Sequence, residues 1–167
     1  VTAFADIAVP VGWLVAPLML AVILCDLRLM RIPNGLVGLV LVVAIVSLAM
    51  TEPLTEILWR FCAALVVFAA GLALFAARLM GGGDVKLMAA LTLLIPTAAL
   101  PVFGLLFSAC IVLGVILLVA LRAMSDAQST RWLSLRDRRR FPLGLSIGMA
   151  GLTFVALGER LTSTLVA

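Results

Sequence analysis

The chain alternates long apolar runs with short breaks rich in charge, proline or glycine, and the pattern predicts six segments. The first runs from about Ile7 to Cys25 and stops at Asp26. The second runs from about Gly35 to Met50, after Ile32-Pro33-Asn34. The third runs from about Leu54 to Ala77 and carries Arg60 near its start. The fourth begins near Asp84 and is interrupted by Pro96. The fifth runs from about Val102 to Leu121, after Pro101, and the sixth from about Pro142 to Gly158. Each is expected to be a helix, because lipid offers no partner to an open backbone. The predicted fold is an all-α membrane protein, a polytopic bundle of about six transmembrane helices forming one domain over residues 1–167.

The fourth segment departs from this pattern. From Val85 to Ile95 it is too short for a full span at about 1.5 Å of rise per residue. Its start is expected inside the membrane, lining a polar cavity, since only protein or water can cover a span that begins part-way across. Pro142 is expected in the first turn of its helix, where a missing N–H costs nothing. Asn34 is expected to cap the second helix.

Composition supports the membrane reading. Of 167 residues, 65% are hydrophobic and 12% charged, against about 25% charged in a soluble domain. That excludes an ordinary cytosolic globule, a disordered chain and a fibrous repeat. There is no His and no Tyr, so His-dependent triads and H-E-x-x-H metal sites are impossible. Cys25, Cys62 and Cys110 stand apart in apolar runs, which argues against a zinc ribbon, a thiol redox motif or a disulfide framework. The first residue is Val. Because further apolar segments follow at once, no separate signal peptide is expected.

Charge predicts orientation. Arg28, Arg31, Arg78, Lys86, Arg122, Arg131, Arg136, Arg138, Arg139 and Arg140 fall at one end of the segments, and only Arg60 and Arg160 at the other. The positive-inside rule then places the N-terminus outside and the 1–2, 3–4 and 5–6 connections in the cytoplasm. The basic connection from about Arg122 to Arg140 fits contact with anionic membrane lipids, with docking of an acidic partner as the alternative. Nucleic acid is not expected as a partner, because the basic excess lies beside a membrane and no binding motif accompanies it.

Any acid–base chemistry must then come from Asp, Glu, Lys86, Cys or hydroxyl groups. Asp6, Glu52, Glu56 and Glu159 fall at the outer ends, and Asp126 and Asp137 within the basic connection. Asp26 and Asp84 remain, both at cytoplasmic ends of apolar segments. Asp26 alone reads equally well as an interfacial acid paired with Arg28 or Arg31. Asp84, in Gly81-Gly82-Gly83-Asp84-Val85-Lys86, reads equally well as a helix cap on a flexible turn. As a pair on different helices they can converge. Two neighbouring, partly buried carboxyls resist being charged together, so they can hold one proton between them. Such a dyad serves as base toward water and as acid toward a carbonyl and its leaving amine.

These residues resemble a family. Gly81-x-Gly83-Asp84 resembles the GxGD motif of intramembrane aspartyl proteases. With Asp26 followed by Ile32-Pro33-Asn34, and with Gly83-Asp84-Val85-Lys86-Leu87-Met88, the chain resembles the type IV prepilin (leader) peptidases. Phe141-Pro142-Leu143-Gly144-Leu145-Ser146-Ile147-Gly148 resembles the Pro-x-Gly segment that opens the family's last span, with Leu143 where the family commonly carries Tyr. The resemblance implies an endopeptidase of the bacterial inner membrane that removes the short basic leader of prepilin or pseudopilin substrates on the cytoplasmic side. It implies Asp26 and Asp84 as the catalytic pair. Gly81 and Gly83 would shape the second site, Lys86 would be an electrostatic neighbour, and Pro33, Asn34, Pro142 and Gly144 would support the pair. No metal and no cofactor is expected.

Larger family members insert a cysteine-paired cytoplasmic domain between the first two spans and methylate the new N-terminus. The connection here, about Asp26 to Asn34, is too short for any domain. Methylation is therefore expected to be absent, and the compact form resembles the small peptidases of Flp/Tad pili. The rival expectation from another class is a small proton- or ion-coupled transporter, which intramembrane acids and a broken helix also suit. A third is a non-catalytic assembly subunit in which the two acids only join helices.

Overall fold

The computed structural model describes residues 2–124, 132–136 and 141–166, with side chains described over 14–124, 132–134 and 141–157. Among the described residues all regular structure is helical: α1 (Thr2–Leu29), α2 (Asn34–Thr51), α3 (Leu54–Ala76), α4 (Gly82–Leu94), a 3-10 turn (Thr97–Ala99), α5 (Leu100–Met124), α6 (Leu133–Arg136) and α7 (Leu143–Val166). The protein is an all-α membrane protein. The three described helices Asn34–Thr51, Leu54–Ala76 and Thr97–Met124, the last including the 3-10 turn, are long and apolar enough to cross a membrane. Large apolar side chains such as Val42, Val46, Leu65, Leu105, Val112 and Ile116 point outward, where lipid rather than water is the matching solvent.

The short fourth helix is central. α4 packs against α3, α2 and α7, while α1 packs against α7 and α2, and α5 against α7. The core joins Met19 and Val22 of α1, Val40 of α2, Leu87 and Leu91 of α4, Phe103 of α5 and Ile147 of α7. Small residues set the spacing between α1 and α7. A Cβ at Gly148 would stand 2.5 Å from Ile23 Cγ1 and 3.1 Å from the Met19 carbonyl oxygen, and one at Gly151 2.9 Å from Met19 Sδ. Close backbone approach of this kind is how helices associate where lipid supplies no hydrophobic drive.

Several boundaries differ from the sequence expectations. α1 continues past Asp26 to Leu29, closed by a 2.9 Å bond from the Met30 N–H to the Asp26 carbonyl. Asp26 is thus in a helix's last turn rather than beyond its end. Met30 then takes φ 50°, a left-handed conformation that is uncommon without glycine and turns the chain sharply. Pro33 rather than Asn34 occupies the cap of α2, with no side-chain cap bond. Pro142 immediately precedes α7 instead of sitting in its first turn, and α5 begins at Leu100 with Pro101 inside it. The basic connection contains α6, which no apolar period announced. Arg131, Arg138, Arg139, Arg140, Asp126 and Asp137 lie outside the described residues.

At the opposite end, Arg60 is buried and held by Glu52 at 2.7 Å and Glu56 at 2.9 Å. Glu56 also accepts from the Thr97 N–H and hydroxyl, at 2.9 and 2.6 Å. The network ties α3 to the α2–α3 connection and to the 3-10 turn that follows α4.

Candidate active site

Asp26 projects from α1 toward the first turn of α7. It is 5% exposed, and its Oδ2 accepts a 3.1 Å hydrogen bond from the Leu145 N–H. A helix's first N–H groups have no partner within the helix and attract a negative group. Gly144 makes the approach possible. A Cβ there would lie 2.8 Å from Asp26 Oδ2 and 2.9 Å from its Cγ. Gly144 therefore lies against Asp26, and Pro142 immediately precedes the α7 terminus. The interfacial pairing of Asp26 with arginine does not occur among the described residues. Arg28 instead lies over the Trp132 ring, 5.9 Å from its centre.

Asp84 is the third residue of α4 and reaches back to its start. Gly81 caps the helix, its N–H bonds to the Asp84 carboxylate, and a Cβ on Gly81 would stand 2.7 Å from Oδ2. This is one half of a capping box, with an aspartate in the place of the usual Glu or Gln. Only one oxygen is used. Asp84 Oδ1 is buried with no hydrogen-bond partner among the described residues, a costly arrangement for a carboxyl oxygen unless a proton, water or ligand meets it.

Both carboxyls line one cavity of about 220 Å³, together with Met30, Arg31, Ile32, Gly81, Gly82 and Gly83. At roughly 30 Å³ per water it admits several. Gly83 forms its floor against the α1–α2 connection: a Cβ there would press on Ile32 Cβ at 3.2 Å and on its carbonyl oxygen at 3.4 Å. Two chain segments far apart in sequence, 26–32 and 81–84, thus face each other across this cavity, each with one carboxyl.

Lys86 and Asn34 are elsewhere. Lys86 is exposed and bonds Asn34 Oδ1 at 3.4 Å, on a side of α4 that does not line the cavity. Pro33 is exposed beside them. Sequence reasoning missed Met30, Arg31 and Ile32 as cavity residues, although they follow Asp26 by four to six positions. It also missed Ser134. This buried hydroxyl donates to the Leu27 carbonyl at 2.6 Å, next to Asp26, while Arg122 donates two bonds to the Ser134 carbonyl at 3.0 and 2.7 Å. No pattern around Ser134 announces that contact. Among the described residues no three His, Cys, Asp or Glu side chains gather as metal ligands.

Comparison with known proteins gives one match. A family model described as the type IV leader peptidase family covers residues 13–119. That range holds both Asp26 and Asp84 and ends within α5. Neither the curated proteins nor the solved structures gave a match.

Proposed function

Since the chain belongs to the type IV leader peptidase family, we propose that it is an aspartyl endopeptidase that cuts the leader from prepilin-like substrates, with Asp26 and Asp84 as its working pair. The observation that carries this reading is the shared cavity, into which two carboxyls from different helices open, with Asp84 Oδ1 lacking a partner among the described residues. One water held between them completes the arrangement.

The chemistry needs one proton on the pair. The charged carboxylate takes a proton from water as its oxygen attacks the scissile carbonyl, and the protonated carboxyl gives its proton to the carbonyl oxygen. The tetrahedral diol then collapses. The carboxylate that has just donated recovers a hydroxyl proton, and the other carboxyl protonates the leaving nitrogen. The pair ends with one proton, as it began. Leu145 N–H favours charge on Asp26, which suits Asp26 for the first deprotonation.

The substrate's leader lies in the cytoplasm, at the basic end of the bundle, and its apolar helix lies in the membrane. With only residues 30–33 between α1 and α2, no methylating domain enters there. The product therefore keeps an unmethylated N-terminus, as in the small Flp/Tad-type enzymes the sequence resembles. Co-expression with a Flp-type prepilin tests the reading. Asp26→Asn and Asp84→Asn should each lower processing at least about a hundredfold while the protein still inserts. Near wild-type processing by either variant would remove that residue from the pair. The mass of the cleaved pilin checks the methyl group.

A further inference from the structure

A second concavity lies on the membrane face, apart from the acid pair. α2 and α3 both rest on α4 but scarcely touch each other, so a groove of about 350 Å³ opens between them. Its walls include Leu41, Phe61, Leu65, Phe68 and Ala89, and among the described residues Lys86 is the one charged residue lining it. Lys86, exposed near the start of α4, stands at one end of the groove. We propose that this groove holds an acyl chain of an anionic phospholipid whose phosphate headgroup is bound by Lys86.

Its lining selects the occupant. Between Lys86 and Leu93 the groove follows α4 for roughly 10 Å at 1.5 Å per residue, and beyond Lys86 the described side chains that line it are apolar. A hydrocarbon chain matches such walls. Charge selects the headgroup. The ammonium makes one long bond, 3.4 Å, to Asn34 Oδ1, which leaves it two donors. The Asn34 amide NH2 stands beside it as a further donor. A lysine stem can lie along apolar walls while its charge reaches the headgroup level, and basic pockets between spanning helices bind anionic headgroups. This inference goes beyond the proposed peptidase activity and does not depend on it.

Native mass spectrometry of the full chain, released from detergent after equilibration with matched phosphatidylglycerol and phosphatidylcholine, reads it directly. Wild type should retain phosphatidylglycerol about fivefold better, the step one lysine near a headgroup supports. Lys86→Arg should keep that preference and Lys86→Gln should erase it. Ala89→Leu, which fills the groove, should lower retention of both lipids. Equal retention in wild type, or an unchanged ratio in Lys86→Gln, would overturn the proposal. So would displacement of phosphatidylglycerol by glycerol phosphate alone, because the site would then be an anion site without a chain groove. A photo-crosslinker at Leu65 in membranes should yield lipid adducts. Adducts dominated by a prepilin helix or a second copy of this chain would assign the groove to that occupant instead.

Discussion

Glycine positions separate function from packing at the scale of single residues. At Gly144 a Cβ would meet Asp26 Oδ2, Cγ and Cβ, all within 3.0 Å, so the carboxyl must leave the α7 terminus. Gly144→Ala should lower processing at least about tenfold, the scale of one lost charge-assisted hydrogen bond, with the protein still inserted. At Gly148 the added atom would meet Ile23 and the Met19 backbone. Gly148→Ala is expected to lose about 1–3 kcal/mol of stability through overpacking, seen as a lower unfolding temperature in detergent. Gly35 and Gly38, with nothing within 4 Å, are the controls: alanine there should be neutral or stabilising by about 0.5–1 kcal/mol. The two acids stood out in the sequence only as a pair, since each alone reads equally well as an interfacial acid or a helix cap; the structure brings both to one cavity. Their surroundings were only half legible. Spacing drew attention to Gly81 and Gly83, but sequence order cannot say that Lys86, two residues beyond Asp84, points to another side of α4.

Among the elements, α4 was the most readable. Proline at 96 and the short apolar run fixed its length, and the structure places it at the centre of the bundle. The end of α1 was misread because a charged residue after an apolar run marks where lipid ends, not where the helix ends. α6 was missed because a helix of four residues has no period to detect. Its role depends on a tertiary contact, the Ser134 hydroxyl on the Leu27 carbonyl. Ser134→Ala would leave that buried carbonyl unpaired, at a cost of about 1–3 kcal/mol. Thermal unfolding of the purified protein checks this, and a loss of processing in parallel would show that the strap also steadies the turn carrying Asp26.

For the molecule as a whole, the charge pattern predicted a basic end and an outer end, and Arg60 stood as an exception. The structure gives the reason: Glu52 and Glu56 surround it, so the cluster at that end of the bundle carries no positive excess. The Glu56–Arg60 spacing of four was visible in the sequence; the reach of Glu52 across the α2–α3 turn was not. Arg60→Ala should destabilise the fold by about 3–5 kcal/mol, because it leaves two carboxylates facing each other in a partly buried site. Pulse proteolysis in detergent reads that loss. Cleavage should also have a bell-shaped pH profile, since the pair fails as a base when doubly protonated and as an acid when fully ionised. Initial rates across pH, with folding monitored in parallel, check both limbs.

The most direct measurement is single-turnover leader cleavage by purified wild type, Asp26→Asn, Asp84→Asn and the double variant. If the two carboxyls act as one unit on one water, each single variant should be as inactive as the double. A single variant that retains substantial activity, with the double variant slower by the product of two independent losses, would contradict a shared dyad.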